Sequence, residues 1–472
     1  MQFKIALPKG HLLGETSSLL AWAGWGLDEY REGTRVYRLK SQAFPDIFAK
    51  VFQERDIPIQ VAVGNYDLGI CGLDWIEELL AKYPDSDLVK LRDLGYGNGA
   101  LYAAASATLK APQLETIKNK RNVIRLAGEY PNLTESFALD LRLKRFSVLP
   151  LWGAADAYPP ENADIVMVSR KAAEKSLGHG LVAVSRVLGY SAYLIANKSS
   201  WETKDLSKAL ASVESRLSSA GGKREGLTEV SLQVERISLP LRESIGEETI
   251  RLALADGHQQ EPTVELLAKA GITIEDYPSK TGNRRPKSSL SGVTIKVIRP
   301  QDMPAQVANG NFDLAITGVD WLTEHLNQFP ASPVVELLDL KFGWVRIVAV
   351  VSEDVPVNNT AELRQFWAKK GTPVRVAAEY ANIADKYARD NHLGVYKVIP
   401  TWGATEAFLT EDADVLIENT QTGRTLAQNR LKIIETLFES TARLIANKDS
   451  LADNKKNRKI QSIADVLRRA VG

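Results

Sequence analysis

The chain repeats itself, and this internal repeat limits the possible folds more than any other feature of the 472 residues. YDLGICGLDWIEELL at 66–80 returns as FDLAITGVDWLTEHL at 312–326, and LPLWGAADAY at 149–158 returns as IPTWGATEAF at 399–408. AYLIANK at 192–198 returns as ARLIANK. The offsets of 246, 250 and 250 keep the segments in one order, so the chain is a tandem duplication.

The repeat divides the chain into a first unit of residues 1–222, a linker of 223–246 and a second unit of 247–472. The join begins with glycine and charged residues and continues in one run of alternating apolar and polar residues. These features are typical of a linker with some structure of its own. We therefore expect two similar folded units joined by a short connection.

Within each unit, strand patterns alternate with helix patterns. The apolar runs FKIALPKG and IRLALADG end in glycine, and each is followed by apolar residues at helical spacing. This alternation predicts an α/β fold of mainly parallel sheets covered by helices. Such sheets bind ligands beyond the carboxyl ends of their strands, where the glycine-bearing loops lie. Asp74 and Asp320, which follow two of these glycines, are expected to cap the next helix.

Composition excludes several classes of function. The net charge of +1 provides no overall field that would gather nucleic acid or anionic lipid. The single cysteine, Cys71, excludes an internal disulfide framework and suits a reducing cytoplasm. No apolar run has the length of a membrane span or a signal peptide. Five histidines without metal-ligand spacing give no sign of a protein-bound metal.

One loop in the second unit has the pattern of a phosphate site. In DVLIENTQTGRTLAQNRLKIIETL, an apolar strand precedes a polar turn, and a helix with Leu426, Leu431, Ile434 and Leu437 inward is expected to follow. Free backbone amides at a helix start and two hydroxyls can seat a phosphate, and Gly423 lets the backbone approach it. Glu418 could accept hydrogen bonds from two ribose hydroxyls. The predicted binding residues are Glu418, Thr420, Gln421, Thr422, Gly423, Arg424 and Thr425.

This loop resembles the phosphoribosyl-pyrophosphate loop of the ATP phosphoribosyltransferase family. The likeness extends to IALPKGH, RPQDMPAQVANGNFDLAITGVDW, LLDLKFGWVRIVAVV and ESTARLIANK, in family order and over nearly all of each repeat. It implies that each unit consists of two α/β lobes of the type II periplasmic-binding-protein kind. The chain would cross between lobes near 93–98, 186–192, 339–344 and 438–443.

The resemblance also implies a reaction. Family members transfer ribose 5-phosphate from phosphoribosyl pyrophosphate to N1 of ATP and release pyrophosphate, with Mg2+ present, in the first step of histidine biosynthesis. No covalent nucleophile is needed, so catalysis must come from orienting two anionic substrates and stabilising the leaving group. Arginines and lysines should converge on the cleft, because guanidinium groups suit phosphate.

The family's cationic residues are divided between the two units. The second unit retains the RPQD arginine as Arg299 and a later one as Arg346, but Asp256 stands where the family shows lysine. The first unit retains Lys9 and the Arg-x-Tyr arginine as Arg35. In the first unit, Gln53 and Ala100 replace the other two arginines, and SRKAAEKSL replaces the phosphate loop.

This division predicts one composite site. Family members work as dimers in which the Arg-x-Tyr arginine reaches the neighbouring subunit, so Lys9 and Arg35 would serve a site centred on the second unit. Two alternatives remain open, a first unit that is only a scaffold or regulatory lobe, and two partly working sites. Trp152 and Trp402, in the repeated WGA, are interpreted as packing residues rather than adenine platforms.

The predicted fold also serves classes of protein other than enzymes. A non-catalytic ligand-binding module or a regulatory paralogue could share this fold. Only 24 residues follow LIANK in the second unit, which leaves no room for the regulatory domain of long-form family members. Short-form members need a partner that resembles histidyl-tRNA synthetase and assemble beyond the dimer. The resemblance therefore leaves two possibilities open, such a partner with a homo-oligomer, or a fusion that has removed the need for the partner.

Overall fold

The computed structural model describes residues 3–107, 123–171, 180–219, 248–280 and 282–472. The linker predicted at 223–246 lies outside the described residues, as does most of SRKAAEKSL. Within the described ranges, each unit forms two lobes, and each lobe is built on one main mixed sheet. The expectation of an α/β fold in two tandem two-lobed units is confirmed.

The first unit contains eleven strands and six helices in its described part. Its strands are β1 (Phe3–Lys9), β2 (Arg38–Lys40), β3 (Ile47–Gln53), β4 (Leu68–Gly72), β5 (Leu88–Asp93), β6 (Gly99–Ser106), β7 (Ile124–Gly128), β8 (Phe146–Pro150), β9 (Ile165–Lys171), β10 (Leu181–Tyr190) and β11 (Ala192–Asn197). Its helices are α1 (Leu13–Trp22), α2 (Ile57–Ala62), α3 (Leu73–Lys82), α4 (Pro131–Asp140), α5 (Lys198–Thr203) and α6 (Ser207–Ser219).

The described part of the second unit repeats this order and adds a short ribbon and a long last helix. Its strands are β12 (Ile250–Ala255), β13 (Ile274–Glu275), β14 (Lys287–Ser288), β15 (Val293–Ile298), β16 (Leu314–Gly318), β17 (Val334–Asp339), β18 (Val345–Ser352), β19 (Val374–Ala378), β20 (Tyr396–Pro400), β21 (Val415–Thr420), β22 (Leu431–Ser440) and β23 (Ala442–Asn447). Its helices are α7 (Gln260–Lys269), α8 (Met303–Ala308), α9 (Val319–Gln328), α10 (Thr360–Lys370), α11 (Ala381–Asp390), α12 (Arg424–Gln428), α13 (Lys448–Ala452) and α14 (Asn454–Val471).

The sheets are mixed rather than mainly parallel. In the first lobe of the first unit, the order is β2-β3-β1-β4-β11-β5, with β3, β1 and β4 parallel and β11 antiparallel to β4. The second lobe has the order β10-β6-β9-β7-β8, and the long β10 runs antiparallel to β6. The sequence prediction was wrong here because the chain returns from the second lobe and enters the first sheet in the reverse direction.

The crossings between lobes lie where the family resemblance implied. In the first unit the chain leaves one sheet at Asp93, enters the next at Gly99, and returns between Tyr190 and Ala192. The second unit crosses between β17 and β18 and returns between β22 and β23. Each unit therefore has two adjacent crossing segments between its lobes.

The predicted aspartate caps are absent from these two helices. Helices α3 and α9 begin one residue before Asp74 and Asp320, so each aspartate lies in the first turn. Each accepts a hydrogen bond from a tyrosine of the other lobe, Tyr130 Oη at 2.6 Å and Tyr380 Oη at 2.7 Å. These aspartates therefore connect the two lobes of a unit.

The two units pack through equivalent buried ion pairs. Lys50, almost completely buried, lies 2.5 Å from a Glu411 carboxylate oxygen and 3.2 Å from Asp412 of the other unit. Lys296, at the corresponding place, lies 2.9 Å from Glu161 and donates to Asn162 at 2.7 Å. The first lobe of each unit thus faces the second lobe of the other.

Candidate functional site

A cavity of about 1220 Å³ lies at the junction of the two units. The first unit contributes the end of β1 and the loop before β2 to its wall. The second unit contributes the start of α7, the crossing segment before β18 and the loop between β21 and α12. One wall therefore carries Lys9 and Arg35, and the other carries residues 418–426.

The loop of residues 420–425 is held open by its own hydroxyl groups. Gly423 has φ of +73°, a left-handed conformation that favours glycine. Its N–H donates to Thr420 Oγ1 at 2.9 Å, and the N–H of Arg424 donates to Thr422 Oγ1 at 3.4 Å. All seven residues predicted to bind phosphoribosyl pyrophosphate line the cavity.

The helix after this loop is much shorter than the sequence predicted. Helix α12 ends at Gln428, and Leu431, Ile434 and Leu437 belong to strand β22 instead. Arg430 has φ of +56° and separates the two elements. The β-branched residues of β22 favour a strand, and β22 pairs with β18. This pairing outweighs the helical spacing of the apolar residues, which predicts a helix. A five-residue helix has a weak dipole, so the hydroxyls of Thr422 and Thr425 and the side chain of Arg424 are the stronger anion-binding groups.

The first unit's two cationic residues are held in place by different contacts. Lys9 Nζ donates to Tyr37 Oη at 2.8 Å and lies 4.9 Å from the centre of that ring. The backbone around Arg35 is fixed by Asn429 of the second unit, whose Nδ2 donates to the Arg35 carbonyl at 2.9 Å. The structure thus brings both residues to the cavity that the second unit's loop lines.

Three carboxylates of the second unit line the same cavity, from Glu379, Glu406 and Glu418, and Glu32 of the first unit lines it as well. Burial, and then repulsion by Glu406, raises the pKa of Glu379 to about 7. Burial also raises the pKa of Glu406, and it raises the pKa of Glu418 well above its usual value, with Glu406 and Glu379 adding to the effect. The positive charge of Lys9 offsets part of the rise in the pKa of both Glu379 and Glu406. The site therefore sets cations from one unit against carboxylates from the other.

Arg346 lies next to the loop. In the sheet, Arg346 on β18 pairs with Thr420 on β21. Its guanidinium carbon lies 6.0 Å from the centre of the Trp344 ring, and Trp344 is on the cavity wall. Arg346 Nε is buried without a hydrogen-bond partner among the described residues. Arg346 is half-buried and is not among the residues that line the cavity, so it lies beside the site rather than on its wall.

Arg299 lies elsewhere among the described residues. Its side chain packs over Gly153 of the first unit, where a Cβ atom would meet Nε at 2.7 Å. It also lies 3.6 Å from Asp256, and its charge offsets part of the rise that burial causes in the pKa of Glu129. Arg299 is not among the residues that line the cavity. The predicted grouping of Arg299 with the second unit's loop is therefore not what the structure shows.

The surroundings of Arg299 form the counterpart of the cavity, made by the opposite pair of lobes. There Arg284 donates to Asp256 at 2.7 Å and lies 3.6 Å from Asp156. In the cavity itself, Gln53 takes the position that corresponds to Arg299 and lies against Gly403. Asp256 thus pairs with both Arg284 and Arg299, and this counterpart is filled with internal ion pairs.

The sequence did not single out several residues that line or support the cavity. Tyr37, Glu406, Gln259, Trp344 and Asn429 all belong to this group. Tyr37 carried a signal, because it completes the Arg-x-Tyr pattern with Arg35. The others became visible only through the packing of one unit on the other.

No helix in the described ranges is long and apolar enough to cross a membrane. Among the described residues, no group of three histidine, cysteine or acidic side chains is arranged to hold a metal ion.

Comparison with known proteins gives consistent results. The family model HisG, ATP phosphoribosyltransferase, matches residues 53–219 and 299–469. An ATP phosphoribosyltransferase from Prosthecochloris aestuarii is 33% identical over 233 residues, which are 48% of this chain and 74% of the relative. Another from Chlorobium phaeovibrioides is 34% identical over 228 residues, 47% of this chain and 71% of the relative.

Two solved structures are also similar to parts of the chain. The ATP phosphoribosyl transferase (HisG:HisZ) complex from Thermotoga maritima is 21% identical with a TM-score of 0.37, covering 47% of this chain and 98% of that one. The periplasmic aliphatic sulphonate binding protein SsuA from Escherichia coli is 17% identical with a TM-score of 0.30, covering 48% of this chain and 68% of that one.

Proposed function

Because the chain belongs to the ATP phosphoribosyltransferase family, we propose that it transfers ribose 5-phosphate from phosphoribosyl pyrophosphate to N1 of ATP. We further propose that each chain does so at one composite site. The observation that carries this proposal is the shared cavity, in which Lys9 and Arg35 face the loop of residues 420–425. In this proposal the residues of the site are distributed over both units, with Gln53 in the place that corresponds to Arg299.

The loop is the proposed seat of the 5-phosphate. The hydroxyls of Thr422 and Thr425 are hydrogen-bond donors, Arg424 adds a positive charge, and the glycine at 423 presents no side chain to the ligand. Glu418, at the end of β21, would accept hydrogen bonds from the ribose hydroxyls. Together these groups would fix the sugar with its anomeric carbon toward the first unit.

The reaction itself would require orientation and charge stabilisation. The lone pair of adenine N1 attacks the anomeric carbon of the sugar, and the bond from that carbon to the pyrophosphate oxygen breaks. Lys9 and Arg35, which line the cavity, would balance the charge that develops on the leaving pyrophosphate, with Arg346 next to the cavity wall. The carboxylates of Glu379 and Glu406 are placed to stabilise the positive charge that develops on the sugar.

The residues present also suit magnesium, the cofactor that the family implies. The carboxylates of Glu379 and Glu406 are two oxygen ligands on one cavity wall, and burial raises the pKa of each, with repulsion by Glu406 adding to the effect at Glu379. Mg2+ usually binds one or two carboxylates together with substrate phosphates. Glu379 and Glu406 would therefore hold a magnesium ion that arrives with phosphoribosyl pyrophosphate. The ion would neutralise part of the charge on the leaving pyrophosphate.

Product formation tests the proposal. The purified chain, ATP, phosphoribosyl pyrophosphate and Mg2+ should generate the ultraviolet absorbance of phosphoribosyl-ATP. Arg35→Ala, in the first unit, should reduce the rate by roughly 100-fold or more, because a charge-assisted contact to the leaving group is lost. Lys386→Ala removes an exposed cation that is paired with Asp390 on α11, and it should leave the rate unchanged.

The alternatives give different results in this assay. Without any product, the chain would be a non-catalytic paralogue. If the Arg35→Ala variant formed product at the rate of the unaltered chain, the first unit would be only a scaffold. Assembly into oligomers and a regulatory subunit resembling histidyl-tRNA synthetase stay predictions.

A further inference from the structure

We infer that Gln259 and Trp344 recognise the adenine ring of the nucleotide. The inference rests on the proposed function and assigns two side chains to one substrate of that reaction. Gln259 immediately precedes α7, and Trp344 lies in the crossing segment just before β18. Both side chains line the cavity that contains the loop of residues 420–425.

Gln259 carries an unsatisfied hydrogen-bond acceptor. Its side chain is 8% exposed, and Oε1 is buried without a hydrogen-bond partner among the described residues. Leaving a buried amide oxygen unpaired is unfavourable, so this group calls for a partner that the described side chains do not supply. The first unit has Leu12 at the equivalent position, and Leu12 is fully buried. Packing alone is therefore satisfied by an aliphatic residue, and the amide has another purpose.

Trp344 offers a flat surface beside this amide. The Trp344 side chain is 38% exposed, although most large apolar side chains of the chain are buried. Gly343 brings the two groups together, because a Cβ atom placed there would lie 3.9 Å from Gln259 Nε2. An exposed indole on a cavity wall is a stacking surface for a base.

The repeated tryptophans provide no such surface among the described residues. The Arg55 guanidinium carbon lies 4.2 Å from the centre of the Trp402 ring, and Trp152 packs at 5.7 Å against Trp321. Their surroundings agree with the interpretation of these residues as packing residues.

The chemistry of an amide selects adenine. Glutamine can accept a hydrogen bond from the N6 amino group through Oε1 and donate one to N7 through Nε2. Guanine presents an acceptor, O6, where adenine presents the amino group, so the same amide would repel it. This mode of binding uses N6 and N7 and leaves N1 free. N1 is the atom that must attack the sugar, so the recognition and the reaction are compatible.

A nucleotide analogue tests the contact with N7. 7-Deaza-ATP retains N1 and the amino group but lacks N7. In the unaltered chain, kcat/KM for 7-deaza-ATP should be about 5- to 10-fold below that for ATP, because one hydrogen bond is lost. Gln259→Leu, which copies the first unit's residue, should reduce kcat/KM for ATP by roughly 10- to 100-fold. In that variant ATP and 7-deaza-ATP should react alike, and the KM for phosphoribosyl pyrophosphate should stay unchanged.

Tryptophan variants test the stacking. Trp344→Ala should weaken ATP binding by roughly 10- to 100-fold, and Trp344→Phe should retain most of it. Trp201→Ala is the matched control, because Trp201 is 43% exposed on α5, outside the cavity, and it should bind ATP normally. Binding is measured by fluorescence titration with ATP alone, so it does not depend on turnover.

The results separate this inference from the proposed function. Without phosphoribosyl-ATP from the unaltered chain, the proposed function fails, while the titrations still report on base recognition. A different result is that the unaltered chain turns over normally while the Gln259→Leu variant still distinguishes ATP from 7-deaza-ATP. That result would overturn the assignment of Gln259 to the adenine ring and leave the proposed function standing. Equal ATP affinity in Trp344→Ala and the unaltered chain would overturn the assignment of Trp344 in the same way.

Discussion

Asn429 of the second unit accepts a hydrogen bond from the backbone N–H of Tyr37 of the first unit, at 3.2 Å. The same side chain donates to the Arg35 carbonyl at 2.9 Å and to the Thr425 carbonyl, one turn earlier in α12, at 2.9 Å. One amide therefore connects the Arg-x-Tyr segment of the first unit to the end of the phosphate loop in the second. This contact sets the position of Arg35 relative to the cavity.

Asn429→Ala should loosen that connection. We expect kcat/KM to fall by about 10-fold, since two hydrogen bonds between the units are lost at about 1 kcal/mol or less each. In an Arg35→Ala background the same change should have little further effect, which a double-mutant cycle measures. Asn391→Ala is the matched control, because Asn391 also follows a helix and donates to the carbonyl four residues earlier at 3.0 Å. Additive effects of the Asn429 and Arg35 changes would contradict a positioning role.

Gly423→Ala should weaken binding of phosphoribosyl pyrophosphate. The added Cβ meets no atom within 4 Å, so its effect comes from the left-handed backbone, which costs about 1–2 kcal/mol for other residues. Gly371→Ala imposes the same conformational penalty at φ of +66° at the end of α10, also without a nearby atom. Both variants should lose similar thermal stability, but only Gly423→Ala should lose affinity for the ligand in calorimetry. Equal affinities would show that the loop does not bind it.

Lys50→Met should destabilise the packing of the units. The substitution leaves the carboxylates of Glu411 and Asp412 without their buried partner, and breaking such a pair typically costs about 3–5 kcal/mol. Denaturant unfolding should show this loss, and adding Glu411→Gln and Asp412→Asn should recover much of it. If the triple variant were no more stable than Lys50→Met, the loss would have another origin.

The raised pKa of Glu379 predicts that stability declines with rising pH. The pKa of its side chain is about 7 in the folded chain, above the ordinary 4.5, so between these values the folded state holds a proton that the unfolded state lacks. The contribution of this group to the free energy of unfolding should therefore be largest below about pH 4.5, fall as the pH rises to 7 and level off above that value. Denaturant melts of the unaltered chain and Glu379→Gln at pH 5, 6, 7 and 8 measure the difference. The glutamine variant should have the flatter profile, and two parallel profiles would refute the assignment.

Much of the architecture could be predicted from the sequence, because repeated segments constrain each other. Runs such as LYAAASA and VRVAAEY are strands in both units, and the glycine-bearing loops lie at the cavity. The helix predicted through Leu431 and Ile434 is instead strand β22. Its apolar residues fit either period, and pairing with Val345–Ser352 decides between them.

The site was predicted less completely, since it depends on how the units pack. Lys9 and Arg35 reach the cavity, as the division of family residues suggested. Arg299 has the family motif around it, but it faces Gly153 and Asp256, which no local pattern could indicate. Gln259 departs from its counterpart Leu12, and this difference between the repeats was a signal that motif comparison overlooked.

Calorimetric titration of the whole chain with phosphoribosyl pyrophosphate and Mg2+ tests the composite site most directly. The account predicts one ligand bound per chain, with the affinity lowered at least 10-fold by Arg35→Ala in the first unit and also by Gly423→Ala in the second. Two ligands per chain, or an affinity that Arg35→Ala leaves unchanged, would contradict it.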